Sequence, residues 1–259
     1  MSTGGERIAA AFAGHSRAAA LMPYLMGGYP DVKTSISCGL AAADAGADLI
    51  ELGVPFSDPL ADGPVIHTAA TEALQGGVHL GDVLEVAREV GVRVPVVLMV
   101  YANVVLARGV EAFLEDAVGA GAAGLIVPDL PHDEADAVRA ACDAADLALV
   151  PLVAPTTTPE RLAEIGRDAR GFVYTVSLSG TTGERDALAP EVERTVTRVR
   201  EATEVPVAVG FGISTAEHAR AVGAIADGVI VGSRIVRAAG EGGAEEVGAV
   251  VRELGAGLE

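Results

Sequence analysis

The sequence predicts an α/β fold, an eight-stranded parallel (β/α)8 TIM barrel with an extra N-terminal helix. Three observations carry it. Short apolar runs alternate with helix-period segments from end to end. The runs are nearly continuous in hydrophobicity rather than alternating, as in parallel strands buried on both faces. The chain has 259 residues and no Pro/Ser-rich linker or shift of composition, which fits one barrel domain spanning 1–259.

In chain order the predicted strands are Leu21–Met26, Asp48–Leu52, Val94–Val100, Gly124–Val127, Ala148–Val153, Gly171–Val176, Val205–Val209 and Gly228–Val231. A helix over Gly5–Phe12 precedes the first. Between and after the strands, helices are predicted over Val32–Ala45, Leu80–Val90, Val110–Ala120, Asp133–Ala145, Pro159–Asp168, Pro190–Ala202, Thr215–Val222 and, with breaks, Ile235–Leu254. Thr158-Pro159-Glu160 and Ser214-Thr215-Ala216-Glu217 read as helix starts. The alternative fold is a doubly wound open sheet. It wants a G-x-G-x-x-G turn after the first strand, and Gly27-Gly28-Tyr29-Pro30 lacks that spacing.

Two connections are long, Gly53–Leu74 and Ser177–Leu188, and both follow strand carboxyl ends, where barrel enzymes build their sites. Glu51 interrupts an apolar strand, where an unpaired charge is costly, so it is either functional or half of a buried ion pair. Asp62 lies in the following loop, before Gly63-Pro64. Together they have the layout of a proton-transfer site. Asp58 before Pro59 also fits ordinary turn chemistry. After the last two strands come Gly210-Phe211-Gly212-Ile213-Ser214 and Gly232-Ser233. Glycines that admit an anion to backbone N–H groups at a helix start make a phosphate site, to which Ser233 adds a hydroxyl and over which Gly183 could close.

Composition narrows the chemistry. The formal charge is −18, which disfavours nucleic acid and obliges any phosphate to be held by local donors. Lys33 is the single lysine and stands at a predicted helix start, a poor place for imine chemistry. His15, His67, His79, His132 and His218 are scattered, so no metal site is expected. Cys38 and Cys142 read as small buried hydrophobes. No signal peptide or membrane span is evident, and a reducing cytoplasm is expected.

With these residues in view, the chain resembles the alpha subunit of tryptophan synthase. The resemblance runs from Leu21-Met-Pro-Tyr-Leu-Met-Gly-Gly-Tyr-Pro-Asp31 through Glu51-Leu-Gly-Val-Pro-Phe-Ser-Asp-Pro-Leu-Ala-Asp62-Gly-Pro64, Tyr101-Ala-Asn103 and Val127-Pro-Asp-Leu-Pro131. It continues in Tyr174-x-x-Ser177-x-x-Gly180-x-Thr182-Gly183, Gly210-Phe-Gly-Ile213 and Gly232-Ser233. It implies cleavage of indole-3-glycerol phosphate to indole and glyceraldehyde 3-phosphate, with no cofactor in this chain. It further implies a beta subunit carrying pyridoxal phosphate, in an alpha2beta2 tetramer.

By motif position the resemblance makes Glu51 and Asp62 the catalytic acids and Tyr174 the active-site tyrosine. Thr182 becomes the loop threonine that helps shut the site over Asp62. Gly183, Phe211, Gly212, Gly232 and Ser233 fall on the phosphate positions. Tyr24, where the family often has Phe, joins Tyr101 and Leu98 or its neighbours around the indole. Pro55, Asp58, Asn103 and Pro131 become partner contacts. The rival readings are another phosphate-binding barrel enzyme, a free-standing indole lyase, and a non-enzymatic activator of another subunit.

Overall fold

A computed structural model describes residues 2–176, 190–210 and 212–259. Within them, nine parallel strand segments form one sheet in the order β5-β4-β3-β2-β1-β9-β8-β7-β6. They are β1 (Ala20–Met26), β2 (Ile50–Gly53), β3 (Val96–Met99), β4 (Gly124–Ile126), β5 (Ala148–Val150), β6 (Leu152–Val153), β7 (Val173–Val176), β8 (Val207–Gly210) and β9 (Gly228–Val231). The terminal members of that order, β5 and β6, are consecutive in the chain and separated only by Pro151. Proline has no N–H for a sheet ladder, so the predicted strand Ala148–Val153 is cut in two. The Pro151 carbonyl still accepts from Tyr174 N–H at 2.9 Å. The ring is therefore closed by the chain itself, and eight staves are built from nine segments.

Helices α1 (Gly4–Ala13), α2 (Val32–Asp44), α3 (Pro64–Gln75), α4 (Leu80–Val90), α5 (Ala102–Arg108), α6 (Val110–Gly119), α7 (Asp136–Ala144), α8 (Pro159–Asp168), α9 (Pro190–Ala202), α10 (Ala216–Gly223) and α11 (Ser233–Ala256) accompany the strands. Two correct the sequence reading. The connection Gly53–Leu74 is a loop only as far as Gly63, beyond which α3 begins with Pro64 at its first turn. Proline belongs there because its missing N–H would have no partner anyway. The other, α5, is a seven-residue helix directly after β3. The predicted break in the last helix is real, since Gly243 takes φ +60° inside α11. Cys38 in α2 and Cys142 in α7 are both buried.

Alternation along the staves sorts the core. Met22, Leu49, Val97, Ile126, Val150, Phe172, Tyr174, Ala208 and Ile230 form the barrel interior. Leu21, Leu52, Leu98, Val209 and Val231 face the helices. At the amino end of the strands, α1 plugs the interior with Ile8, while Phe12 packs on Phe172 with ring centroids 5.6 Å apart. Arg7 of α1 donates to the Gly121 carbonyl at 3.0 Å, tying the plug to the wall. At the other end, Ala69 and Ala70 of α3 and Val236 of α11 pack over Tyr24 and Met26. One end is sealed, and chemistry is left to the other.

Candidate active site

Strand parity puts the side chain of Glu51 inside the barrel, two residues beyond Leu49 and level with Tyr24 of β1 and Val97 of β3. It is 1% exposed, and among the described residues neither carboxylate oxygen has a hydrogen-bond partner. Of the two explanations the sequence left open, a buried ion pair is not found among the described residues. Burial, reinforced by the charge of Asp62, pushes the Glu51 carboxyl up to about 8. That shift favours the protonated acid at neutral pH.

Asp62 approaches from the loop between β2 and α3 and is only partly buried. Burial raises it above the ordinary carboxylate value, while the Tyr101 hydroxyl and His67 pull it back. The two acids thus interact, and burial raises both, with Asp62 alone drawn back by polar neighbours. The polar groups beside Asp62 favour its ionised form relative to that of Glu51, a difference suited to one proton donor and one charged partner.

Three of the chain's four tyrosines surround them. Tyr24 and Tyr174 are held well above the usual phenol value by burial, with Asp62 and Glu51 adding to it. Two inward-facing strand glycines make room for their rings. A Cβ on Gly53 would lie 1.9 Å from the Tyr24 hydroxyl, and one on Gly210 would lie 2.3 Å from that of Tyr174. The sequence reading missed Gly53 as a site residue and assigned Gly210 only to the phosphate motif. The available signal was a glycine at an inward position of a buried strand. Leu98 is a correction: it points outward into the helical layer, and its neighbours Val97 and Met99 face the interior.

The loops expected to bind phosphate follow β8 and β9. Gly210 pairs with Ile230, and Gly212 and Gly232 each follow two residues later in the chain. Gly212 has φ +67°, a conformation that favours glycine. Gly232 is the N-cap of α11, and the first intrahelical return is Val236 N–H to the Gly232 carbonyl at 3.1 Å. The amides of Ser233, Arg234 and Ile235 precede that return and have no intrahelical carbonyl to bond, the arrangement that suits an anion. Arg234 is turned to Ser214 and to Glu253, so it braces the Gly212–Ser214 segment against α11. Thr182, Gly183 and Phe211 lie outside the described residues, as do Ser177 and Gly180. No group of three or more His, Cys, Asp or Glu suited to a metal occurs among the described residues.

Of the four partner-contact positions, Asp58, Asn103 and Pro131 are exposed at the carboxyl-end face. Pro55 is buried, so it shapes the loop from beneath and offers no free surface.

Comparison with known proteins then fixes the family. The family model for the tryptophan synthase alpha chain matches residues 11–256. The chain belongs to the tryptophan synthase alpha chain family. It is 48% identical over 238 residues to the alpha chain of Synechococcus elongatus, covering 91% of this chain and 90% of that one. A tryptophan synthase structure from Mycobacterium tuberculosis superposes with a TM-score of 0.92 at 41% identity, covering 100% of this chain and 99% of that one. A chain of the α2β2 complex of the hyperthermophile Pyrococcus furiosus superposes with a TM-score of 0.85 at 38% identity, covering 92% and 98%. As a tryptophan synthase alpha chain the protein is a carbon–carbon lyase, cleaving indole-3-glycerol phosphate to indole and glyceraldehyde 3-phosphate in tryptophan biosynthesis.

Proposed function

We propose that Glu51 and Asp62 carry this cleavage as acid and electrostatic partner, within one domain formed by residues 1–259. The observations that support the reading are a buried Glu51 with no hydrogen-bond partner among the described residues, its carboxyl pushed up to about 8 by burial, and a partly exposed Asp62 whose rise is offset by the Tyr101 hydroxyl and His67. An aromatic carbon is a poor leaving group. Glu51 gives its proton to indole C3, and the ring nitrogen becomes an iminium whose N–H lies on ionised Asp62. The proton of the adjacent glycerol hydroxyl then passes to the Glu51 carboxylate. Its O–H electrons form the aldehyde C=O, and the electrons of the breaking C–C bond restore the aromatic ring. Glu51 has given one proton and taken one, so it ends as it began.

Gly212, Gly232 and Ser233 hold the phosphate through backbone amides and a hydroxyl, with no lysine needed in an acidic chain. Phe211 and Gly183 are assigned to the same group, and Thr182 to closure over Asp62, by family resemblance. Tyr24, Tyr101, Tyr174, Val97 and Met99 enclose the indole.

The partner is a beta subunit, in the α2β2 arrangement of the Pyrococcus furiosus relative. Asp58, Asn103 and Pro131 are assigned to that face, where Leu60 and Leu106 also stand 86% and 61% exposed. Apolar side chains left in water beside a site mouth are what a partner would cover. Pyridoxal phosphate belongs to that partner, and the complex works in the cytoplasm. No helix among the described residues is long and apolar enough to cross a membrane.

The test is indole release from indole-3-glycerol phosphate, with and without the beta subunit. Asp62→Asn and Glu51→Gln should each lower the rate by about 10²–10⁴-fold in a folded chain. A folded variant within tenfold of wild type removes that residue from its role. A chain that the beta subunit does not stimulate is a free-standing lyase.

A further inference from the structure

Asp62 sits on a loop, yet its chemistry requires an accurately placed carboxylate. Its own loop supplies little to fix it, and the hold comes from the end of β3. The Tyr101 hydroxyl oxygen accepts from Ala61 N–H at 3.0 Å. Because that oxygen is used as an acceptor of a backbone donor, its own hydrogen is available to the neighbouring Asp62 carboxylate. The Tyr101 ring also stacks on Phe56, with centroids 5.0 Å apart and planes inclined by 25°. Tyr101 therefore holds the loop at both its beginning and its end.

Tyr101 is in turn fixed from behind. It is the N-cap residue of α5 but provides no side-chain cap. The first helical amide, Ala102 N–H, donates to Asp129 Oδ1 at 2.8 Å, from the turn after β4. The carboxylate replaces the missing cap and complements the positive end of the helix.

From this geometry we infer that Tyr101 is the positioning residue of Asp62, gripping the β2–α3 loop at Phe56 and Ala61, and that Asp129 sets Tyr101 in place. This rests on the assignment of Asp62 proposed above. The electrostatics agree from both partners. Tyr101 lowers Asp62 against the effect of burial, and the Tyr101 phenol is pushed up to about 12 by burial, with Asp62 contributing. Tyr101 thus does more than line the indole pocket.

The test is steady-state cleavage by the full chain with its beta subunit across pH, comparing Tyr101→Phe, Asp129→Asn, Asp129→Ala and the combination of Tyr101→Phe with Asp129→Ala. Tyr101→Phe keeps the stack on Phe56 and removes only the hydroxyl. It should lower kcat about 10–100-fold, the size of one hydrogen bond to a charged group. KM should change little, and the acid limb of kcat/KM should move to higher pH, because Asp62 loses the donor that favours its ionised form. Asp129→Asn keeps an acceptor for Ala102 N–H and should retain activity. Asp129→Ala should lower kcat, and by a smaller factor when Tyr101→Phe is already present. A Tyr101→Phe variant whose acid limb does not move overturns the inference, whatever its rate. So do independent, multiplicative effects of Tyr101→Phe and Asp129→Ala. If Asp62→Asn is inactive while Tyr101→Phe is silent, the positioning inference alone fails. If Asp62→Asn is active, the assignment of Asp62 fails with it.

Discussion

Glu51 and Asp62, the two acids proposed for one reaction, have opposite surroundings. Glu51 is on a strand, sealed inside the barrel, with no hydrogen bond to either oxygen among the described residues. Asp62 is on a loop, partly open, and attended by the Tyr101 hydroxyl and His67. Rigid placement in an apolar interior makes a proton donor. Looser placement beside polar groups offsets part of the burial effect on Asp62 and favours its charged form. That difference follows from the contrast in burial between stave and loop.

The contrast has its largest expected consequence in stability. Glu51 titrates near 8 in the folded chain against 4.5 for the unperturbed group. Between those values the folded state binds the extra proton, so stability falls as pH rises through the window and the full penalty applies above it. An interval that wide is worth at most on the order of 5 kcal/mol. Glu51→Met, apolar and of similar size, should therefore be inactive yet more stable than wild type at pH 8, with little gain at pH 4.5. Asp62→Asn, on its partly exposed loop, should show no comparable gain. Chemical denaturation at both pH values checks this, and a Glu51→Met variant no more stable at pH 8 would erase the distinction.

Next in size is the space that the interior reserves for its tyrosines. Gly53→Ala and Gly210→Ala each force a methyl against a phenol ring, and overpacking of that kind costs about 1–3 kcal/mol. Gly53→Ala displaces the ring level with Glu51, so it should depress kcat as well as melting temperature. An equivalent Gly→Ala change at Gly81, where nothing lies within 4 Å of the added Cβ, is the control. Equal effects at Gly53 and Gly81 would show that the rings yield freely.

A smaller effect sharpens the same contrast in the pH profile. The proposed chemistry wants Asp62 ionised and Glu51 protonated. Activity should fall below an acid limb that lies above the ordinary carboxylate range, and again above an alkaline limb near 8. Because the acids interact, the limbs belong to the pair. In Glu51→Asp, if it retains measurable turnover, the alkaline limb should move while the acid limb moves less. A profile flat to pH 10 in wild type would remove Glu51 as the proton donor.

The sequence makes the staves legible because each is an apolar run bounded by turn signals, and it makes Glu51 legible because a charge stands out in such a run. It hides α3 because that helix is buried through Ala69, Ala70 and Ala73, whose small side chains give a weak periodic signal. It hides α5 because seven residues are too few for a pattern. The split at Pro151 was readable in principle, but an apolar run on both sides masked it. Asp129 and Gly53 were not legible as site residues. Their roles depend on which strand end lies beside which loop, and that is a property of the closed ring rather than of local spacing.

The smallest expected effect separates Tyr24 from Tyr101. Both phenols stand near Asp62, and both are raised by burial. Only Tyr101 holds the loop backbone, through Ala61 N–H. The Tyr24 ring occupies the room left by Gly53, so its volume is what the site needs from it. Tyr24→Phe keeps that volume and should leave kcat within about threefold of wild type, less than the ~1.4 kcal/mol of a tenfold change. The acid limb should stay where it was. Set beside Tyr101→Phe in one assay, the pair distinguishes a ring that fills from a hydroxyl that holds. If Tyr24→Phe moved the acid limb as far as Tyr101→Phe, both phenols would be holding Asp62, and the loop's position would depend on β1 as well as β3.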